Sequence, residues 1–275
     1  MDTSVVAIYV VCDEVIKVLN IKDDLQAQMS TSEVVAFAVL ASKLFYGNHR
    51  LTRWVCDKAG YFPKMLSESR LNRRLHKIPW NVWLAIFRFL ALVFKAENPS
   101  DEFAVDSFPV ACCAKQRIDR RKFLKEREYI GYAPSKKKYF CGVKVHMIVT
   151  GKGRPVEFAI RPASNSDVTV LWGMEIDLPA GSRLYADGAY NCYDLEDILL
   201  EDSQIHLLAK RKQMNSKRKR SVEDEFCISS RRQIVETAFS CITNLLPRSI
   251  RVSTCQGFLM RVMGSILAYS IDCLL

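Results

Sequence analysis

Three acidic residues stand where an unpaired anion is costly. Asp106 interrupts Ala104-Val105-Asp106-Ser107-Phe108, a run otherwise suited to a buried strand. Asp187 follows Leu184-Tyr185-Ala186 and precedes Gly188, at a strand end where a turn begins, and Glu236 lies in an otherwise apolar helical segment after Arg231-Arg232. Desolvating a carboxylate is unfavourable without a cation, a proton or hydrogen-bond donors. Taken singly, each acid has an ordinary explanation: Asp106 as a turn cap, Asp187 in an Asx-turn with Gly188, Glu236 paired with Arg232 four residues earlier. A shared metal answers all three at once. Magnesium suits hard oxygen ligands and keeps waters and substrate phosphate oxygens in its shell. Two such ions, about 4 Å apart, activate the attacking oxygen and stabilise the leaving oxygen of an in-line displacement at phosphorus.

Elements must bring these acids together, since 80 residues separate the two aspartates and 48 separate Asp187 from Glu236. Residues 1–98 read as helical up to the Asn98-Pro99-Ser100 break, and 99–275 as a mixed α/β part that includes a C-terminal helix. In the first part, Ser30-Thr31-Ser32-Glu33 has capping-box spacing before the apolar segment Val34 to Phe45. Leu71, Leu75 and Ile78 recur at helical spacing, while Arg70, Arg73, Arg74 and Lys77 share a neighbouring face. With the helical pattern of Leu51 to Ala59 and a turn near Gly60, this suggests the second helix of a helix-turn-helix-like DNA binder; an ordinary solvated helix is the alternative.

After Ser100, strands are expected at Phe103–Phe108, closed by Pro109, then in a hairpin of Tyr139–Thr150 and Pro155–Arg161, and at Ser182–Ala186 and Ile205–Ala209. Helices are expected at Tyr193–Glu201, Arg231–Leu246 and Phe258–Leu275. If the first and fourth strands are adjacent and parallel, Asp106 and Asp187 meet, and the helix beginning near Arg231 brings Glu236 over the same edge.

Charge points to a polyanionic partner. Forty Lys and Arg against thirty Asp and Glu give a net charge of +10. Thirteen basic residues fall between Lys115 and Arg154 against three acids, and seven between Lys210 and Arg220 with none. Each phosphate neutralised by such a cluster releases condensed counterions; the alternative for either run is a solvated loop. The ten cysteines are dispersed without a Cys-x-x-Cys pair and the four histidines are scattered, so reduced structural thiols are expected rather than a zinc site. Val5–Cys12 lacks a basic leader, and Val82–Phe94 is short for a membrane span and contains Arg88. A cytoplasmic protein without a membrane partner is the expectation.

The chain resembles the DDE transposases of bacterial insertion sequences, in particular the insertion sequence 982 family. The resemblance runs through most of the chain. It is carried by Asp106-Ser107-Phe108-Pro109-Val110 with Cys113 close behind, Gly142-Val143-Lys144-Val145-His146, Tyr185-Ala186-Asp187-Gly188-Ala189-Tyr190, and Arg231 to Ser240, with Asn72-Arg73-Arg74-Leu75 in the N-terminal part. It implies an RNase H-like mixed-sheet catalytic domain preceded by a helical, helix-turn-helix-like domain, with Asp106, Asp187 and Glu236 as a metal-binding catalytic triad. Mg²⁺ is the implied cofactor, with Mn²⁺ as a substitute. The implied partners are double-stranded DNA, as terminal inverted repeats and target, and a second copy of the chain on that DNA, in a nucleoid-associated setting. Arg232, Lys144 and His146 are candidate phosphate contacts, although His146 on an alternating strand also suits a core hydrogen bond. The chain departs from the wider pattern at Ser229, where a Tyr is common, and at Thr243, where a Lys or Arg is common.

The expected activity is cleavage at terminal inverted repeats followed by attack of the freed 3′-hydroxyl on target DNA. Two other readings compete: an RNase H-like nuclease that hydrolyses DNA without strand transfer, and a non-catalytic regulator that binds the repeats.

Overall fold

Alternating apolar segments after residue 100 form one mixed sheet in the computed structural model, which describes residues 3–114, 118–119, 122–133, 137–211, 216–247 and 249–275. The strands are β1 (Glu102–Ala114), β2 (Ile130–Ala133), β3 (Lys138–Thr150), β4 (Pro155–Pro162), β5 (Arg183–Ala186) and β6 (His206–Ala209). Their order is β2-β3-β1-β5-β6, with β4 also paired to β3. β1 is antiparallel to β3 and parallel to β5, which is parallel to β6. β3 forms the expected hairpin with β4 and carries β2 along its first residues.

The helices are α1 (Thr3–Val18), α2 (Thr31–Phe45), α3 (His49–Ala59), α4 (Glu68–Lys77), α5 (Trp80–Ala96), α6 (Asp167–Trp172), α7 (Tyr193–Ser203), α8 (Val222–Asn244) and α9 (Cys255–Asp272). Among the described residues, no single helix is long and apolar enough to cross a membrane.

By contact the chain divides into two compact units, Met1–Leu90 with Cys241–Leu275, and Ala91–Ser240. In the first, α2 is buried at nearly every position from Val34 to Ser42, the signature of a helix enclosed by others; α1, α3, α4 and α9 pack on it. Its start is fixed by the expected capping box: Glu33 N donates to Ser30 Oγ at 3.1 Å, and Ser30 N donates to Glu33 Oε2 at 2.7 Å. Gly264 lets α9 approach, because a Cβ there would lie 2.8 Å from Ser42 Oγ and 3.3 Å from the Ala38 carbonyl oxygen.

Four expectations require correction. The final helix belongs by contact with α2 and α1, not with the sheet, because its apolar face is buried against them. The division falls within α5 rather than at Asn98, since Lys95 pairs with Glu157 and Arg154 lies over the Phe94 ring. β1 continues through Pro109: β5 ends at Ala186, opposite Val105, so that edge of β1 needs no further N–H donor. α8 begins at Val222 rather than Arg231, and β2 was not foreseen.

Gly264→Val should lower unfolding stability by about 1–3 kcal/mol through overpacking, with the urea m-value unchanged. Combining it with Ser42→Ala should recover part of that loss, a coupling read from a double-mutant cycle of urea midpoints.

Candidate active site

Register places the two aspartates. Val105 on β1 pairs with Ala186 on β5 in parallel, so Asp106 and Asp187 occupy the next position of each strand and leave the sheet on the same face. Each aspartate has one oxygen held by a backbone amide just downstream: Ser107 N donates to Asp106 Oδ1 and Ala189 N to Asp187 Oδ1, both at 2.7 Å. The other oxygens face a common centre.

That centre holds the Arg232 guanidinium. Arg232 Nε lies 4.0 Å from Asp106 Oδ2 and 3.3 Å from Glu236 Oε1, and Arg232 Nη2 lies 4.0 Å from Asp187 Oδ2. Nε is buried without a hydrogen-bond partner. Arg232 and Glu236 are one helical turn apart on α8, which is fixed over β1 at two points. Arg231 pairs with Glu102, and the Phe239 ring packs on Phe108 at 4.6 Å between centroids. Val235, Ala238 and Phe239 form the buried face, leaving Glu236 largely exposed.

A fourth carboxylate, Asp167 on α6, borders this group and was not foreseen. Its Oδ1 accepts from Ser107 Oγ at 3.0 Å and from Lys144 Nζ at 3.1 Å. Beneath it, His146 Nδ1 lies 3.2 Å from Tyr190 Oη, both side chains being buried. Burial pushes His146 down to about 4, so it is neutral at neutral pH. Burial and the nearby Asp167, Asp106 and Asp187 carboxylates hold the Tyr190 hydroxyl well above its ordinary value. Asp106 is raised to about 6, first by burial and further by Asp187 and Asp167, against the Ser107 amide and Arg232. An oxygen-only donor set, with one pinned and one inward oxygen on each aspartate, fits a hard divalent cation.

The structure thus brings Asp106, Asp187, Glu236 and Arg232 together. It does not expose His146, which is 1% accessible and makes a core hydrogen bond; desolvation within β3 removes it from phosphate contact. Lys144 is engaged by Asp167 and by the Asn165 carbonyl at 3.1 Å, so it braces Asp167 rather than standing free for DNA. Sequence offered little warning of Asp167, because Ser166 before it reads as an ordinary helix cap, a role Ser166 does fill by accepting from Thr169 N.

The remaining cationic residues divide. On α4, Arg70, Arg73 and Lys77 are exposed and, with Arg74, border a cavity of about 330 Å³; Arg74 itself is tied to Asp23 Oδ1 at 2.8 Å and the Met29 carbonyl at 3.0 Å. In the run 210–220, Arg211 and Arg220 pair with Glu196, and Arg218 pairs with Asp197. That run is therefore partly internal structure rather than an open polyanion surface. Lys115, Arg117, Arg120, Arg121, Lys136 and Lys212 lie outside the described residues.

A family model described as a transposase DDE domain matches residues 98–249. No curated protein and no solved structure matches the chain significantly.

The folded value for Asp106, about 6, lies above its ordinary 3.8, so the fold opposes its ionisation. Stability from this group is complete below about pH 4 and is lost as pH rises through about 6. Asp106→Asn keeps an oxygen for the Ser107 amide and escapes that loss. In EDTA it should be more stable than the unaltered chain at pH 7.5 by on the order of 2–3 kcal/mol, the gap closing toward pH 4. Chemical denaturation across that pH range reads it; a gap that widened toward acid would contradict the assignment.

Proposed function

The chain belongs to the DDE transposase domain family, and from that premise we propose that it cleaves DNA at the terminal inverted repeats of an insertion sequence and joins the resulting 3′-hydroxyl ends to target DNA. The observation that carries this reading is the arrangement of Asp106, Asp187 and Glu236 about Arg232. Three carboxylates around one partly exposed guanidinium form a site for positive charge, and phosphoryl transfer requires positive charge beside a polyanion. The mixed sheet, antiparallel through β4, β3 and β1 and parallel through β1, β5 and β6, supports an RNase H-like assignment.

Asp106, Asp187 and Glu236 would hold Mg²⁺, with Mn²⁺ as a substitute, and the bound ions would supply activation of the attacking oxygen and stabilisation of the leaving one. The chain's own residues do the rest. The Ser107 and Ala189 amides keep the aspartates from rotating. Lys144 and Ser107 hold Asp167 beside them, and the neutral His146–Tyr190 pair fills the floor and excludes water. Arg232, displaced from the carboxylates once they bind cations, is suited to a non-bridging phosphate oxygen through its planar fork. Hydrolysis at the element end breaks the P–O3′ bond and leaves a 3′-hydroxyl. That hydroxyl then attacks a target phosphodiester, forming one P–O bond as another breaks and the departing oxygen takes up a proton. The exposed cations of α4 are assigned to duplex binding in a helix-turn-helix-like manner, with two copies of the chain on paired ends in a cytoplasmic, nucleoid-associated setting.

Incubation with labelled DNA carrying the repeats and a plasmid target, in Mg²⁺, should give both nicked and joined products. Asp106→Asn, Asp187→Asn and Glu236→Gln should each reduce both by at least about 10³-fold, in line with losing a charge-stabilising group, and EDTA should abolish them until Mg²⁺ or Mn²⁺ is restored. Undiminished cleavage by Asp106→Asn would sink the triad. Nicking without joining would favour the plain nuclease, and binding without either would favour a regulator.

A further inference from the structure

Three of the ten cysteines, spread over the sequence, converge in the sheet. The sulfurs of Cys112, Cys113 and Cys141 all lie within 4.8 Å of one another. Adjacent residues on a regular strand point to opposite faces, so Cys112 and Cys113 could not both reach Cys141 from an undistorted β1. A bulge reconciles them. Ala111 pairs with Gly142 and Cys113 with Cys141, leaving Cys112 as the extra residue, and such an insertion re-aims a side chain. Gly142 permits it, since a Cβ at that position would lie 2.1 Å from the Val110 carbonyl oxygen. The bulge thus brings together three thiols that the sequence leaves dispersed.

We propose that Cys112, Cys113 and Cys141 form a structural site for a thiophilic divalent cation, Zn²⁺ by class, with the fourth position open to water. Thiolates around one zinc at about 2.3 Å sit about 3.8 Å apart, so the cluster needs only a small contraction to close. Cys141 is fully buried and gives the site a dry floor, while half-buried Cys112 and Cys113 leave a mouth for entry. Soft sulfur donors here and hard oxygen donors at the carboxylates select different metals, so the two sites do not compete for one ion. Burial and the two neighbouring sulfurs push the Cys112 thiol up, so binding must displace one proton per thiol to solvent and should strengthen as pH rises. The bound ion would clamp the far end of β1, the strand that carries Asp106, to β3.

The test is Co²⁺ titration of the full chain, prepared reduced and metal-free. A sulfur-to-cobalt charge-transfer band should saturate at one equivalent per chain, and Zn²⁺ should bleach it. Carboxylates give no such band, so Asp187→Asn should retain it. Cys112→Ser and Cys113→Ser, both at partly exposed positions, should each weaken binding by at least about 100-fold while far-UV circular dichroism stays unchanged; Cys227→Ser on α8 should leave it intact. Absence of the band in the unaltered chain, or its persistence in Cys112→Ser, would overturn the proposal. So would conversion of the cluster to a disulfide on mild oxidation in a chain that shows no band when reduced.

Discussion

Confining several carboxylates in one partly desolvated cleft is the constraint on which the rest of the catalytic unit depends. Like charges a few ångströms apart disfavour one another's ionisation, and burial adds to the cost. Asp106 shows both effects in its upward displacement to about 6. Arg232 offsets the cost from the centre, and Lys144 offsets it at Asp167. Neither cation closes the account. Arg232 stays at 3.3–4.0 Å from its three partners, beyond ordinary hydrogen-bond length for two of them, and its Nε is unsatisfied. Carboxylates left electrostatically incomplete in this way form a donor set whose mutual repulsion a bound cation would relieve.

Holding such a site together requires supports that do not themselves carry its charge. The parallel register of β1 and β5 puts the aspartates side by side, and two short amide hydrogen bonds fix their orientation. α8 is fastened by a polar contact before the active turn, Arg231 with Glu102, and an aromatic one after it, Phe239 with Phe108. Glu102 also accepts from Tyr185 Oη at 3.1 Å, so one residue at the start of β1 ties β5 and α8 to the same strand. Movement of that helix would carry Arg232 and Glu236 away together, which couples the counter-ion to the carboxylate it neutralises.

Much of this was legible in the sequence, for reasons that are local. Ser30 and Glu33 announce the start of α2 because a capping box is a short-range device. The β3–β4 hairpin is marked by its glycine turn, and the placement of the aspartates followed from apolar runs, one interrupted by Asp106 and one ended by Asp187. What escaped is long-range. Asp167 joins the site only because α6 packs near β3, and Ser166 before it carries a sufficient local explanation of its own. His146 alternates with apolar neighbours exactly as a buried residue would, yet a motif resemblance drew it toward phosphate; burial to 1% decides for the core. The cysteines seemed dispersed because a bulge, invisible to a period-two pattern, determines which way Cys112 points. The last helix was grouped with the sheet by its position in the chain, whereas a long apolar face packs it on α2 and α1.

Net charge needs the same correction. A formal +10 suggests a surface given over to a polyanion, but many of the cations counted have internal partners. Arg211, Arg218 and Arg220 form a network with Glu196 and Asp197, Arg154 pairs with Glu97 and Lys95 with Glu157, and Arg74 is bound to Asp23. Exchanging an intramolecular carboxylate for a phosphate releases fewer counterions than engaging a free cation, since the first pairing has already neutralised the charge. The cations best placed to contribute fully among the described residues are those on open helical faces, such as Arg70, Arg73 and Lys77. Positive charge free to meet a polyanion is therefore more localised among the described residues than the composition implies, because the paired cations are already neutralised by neighbouring carboxylates.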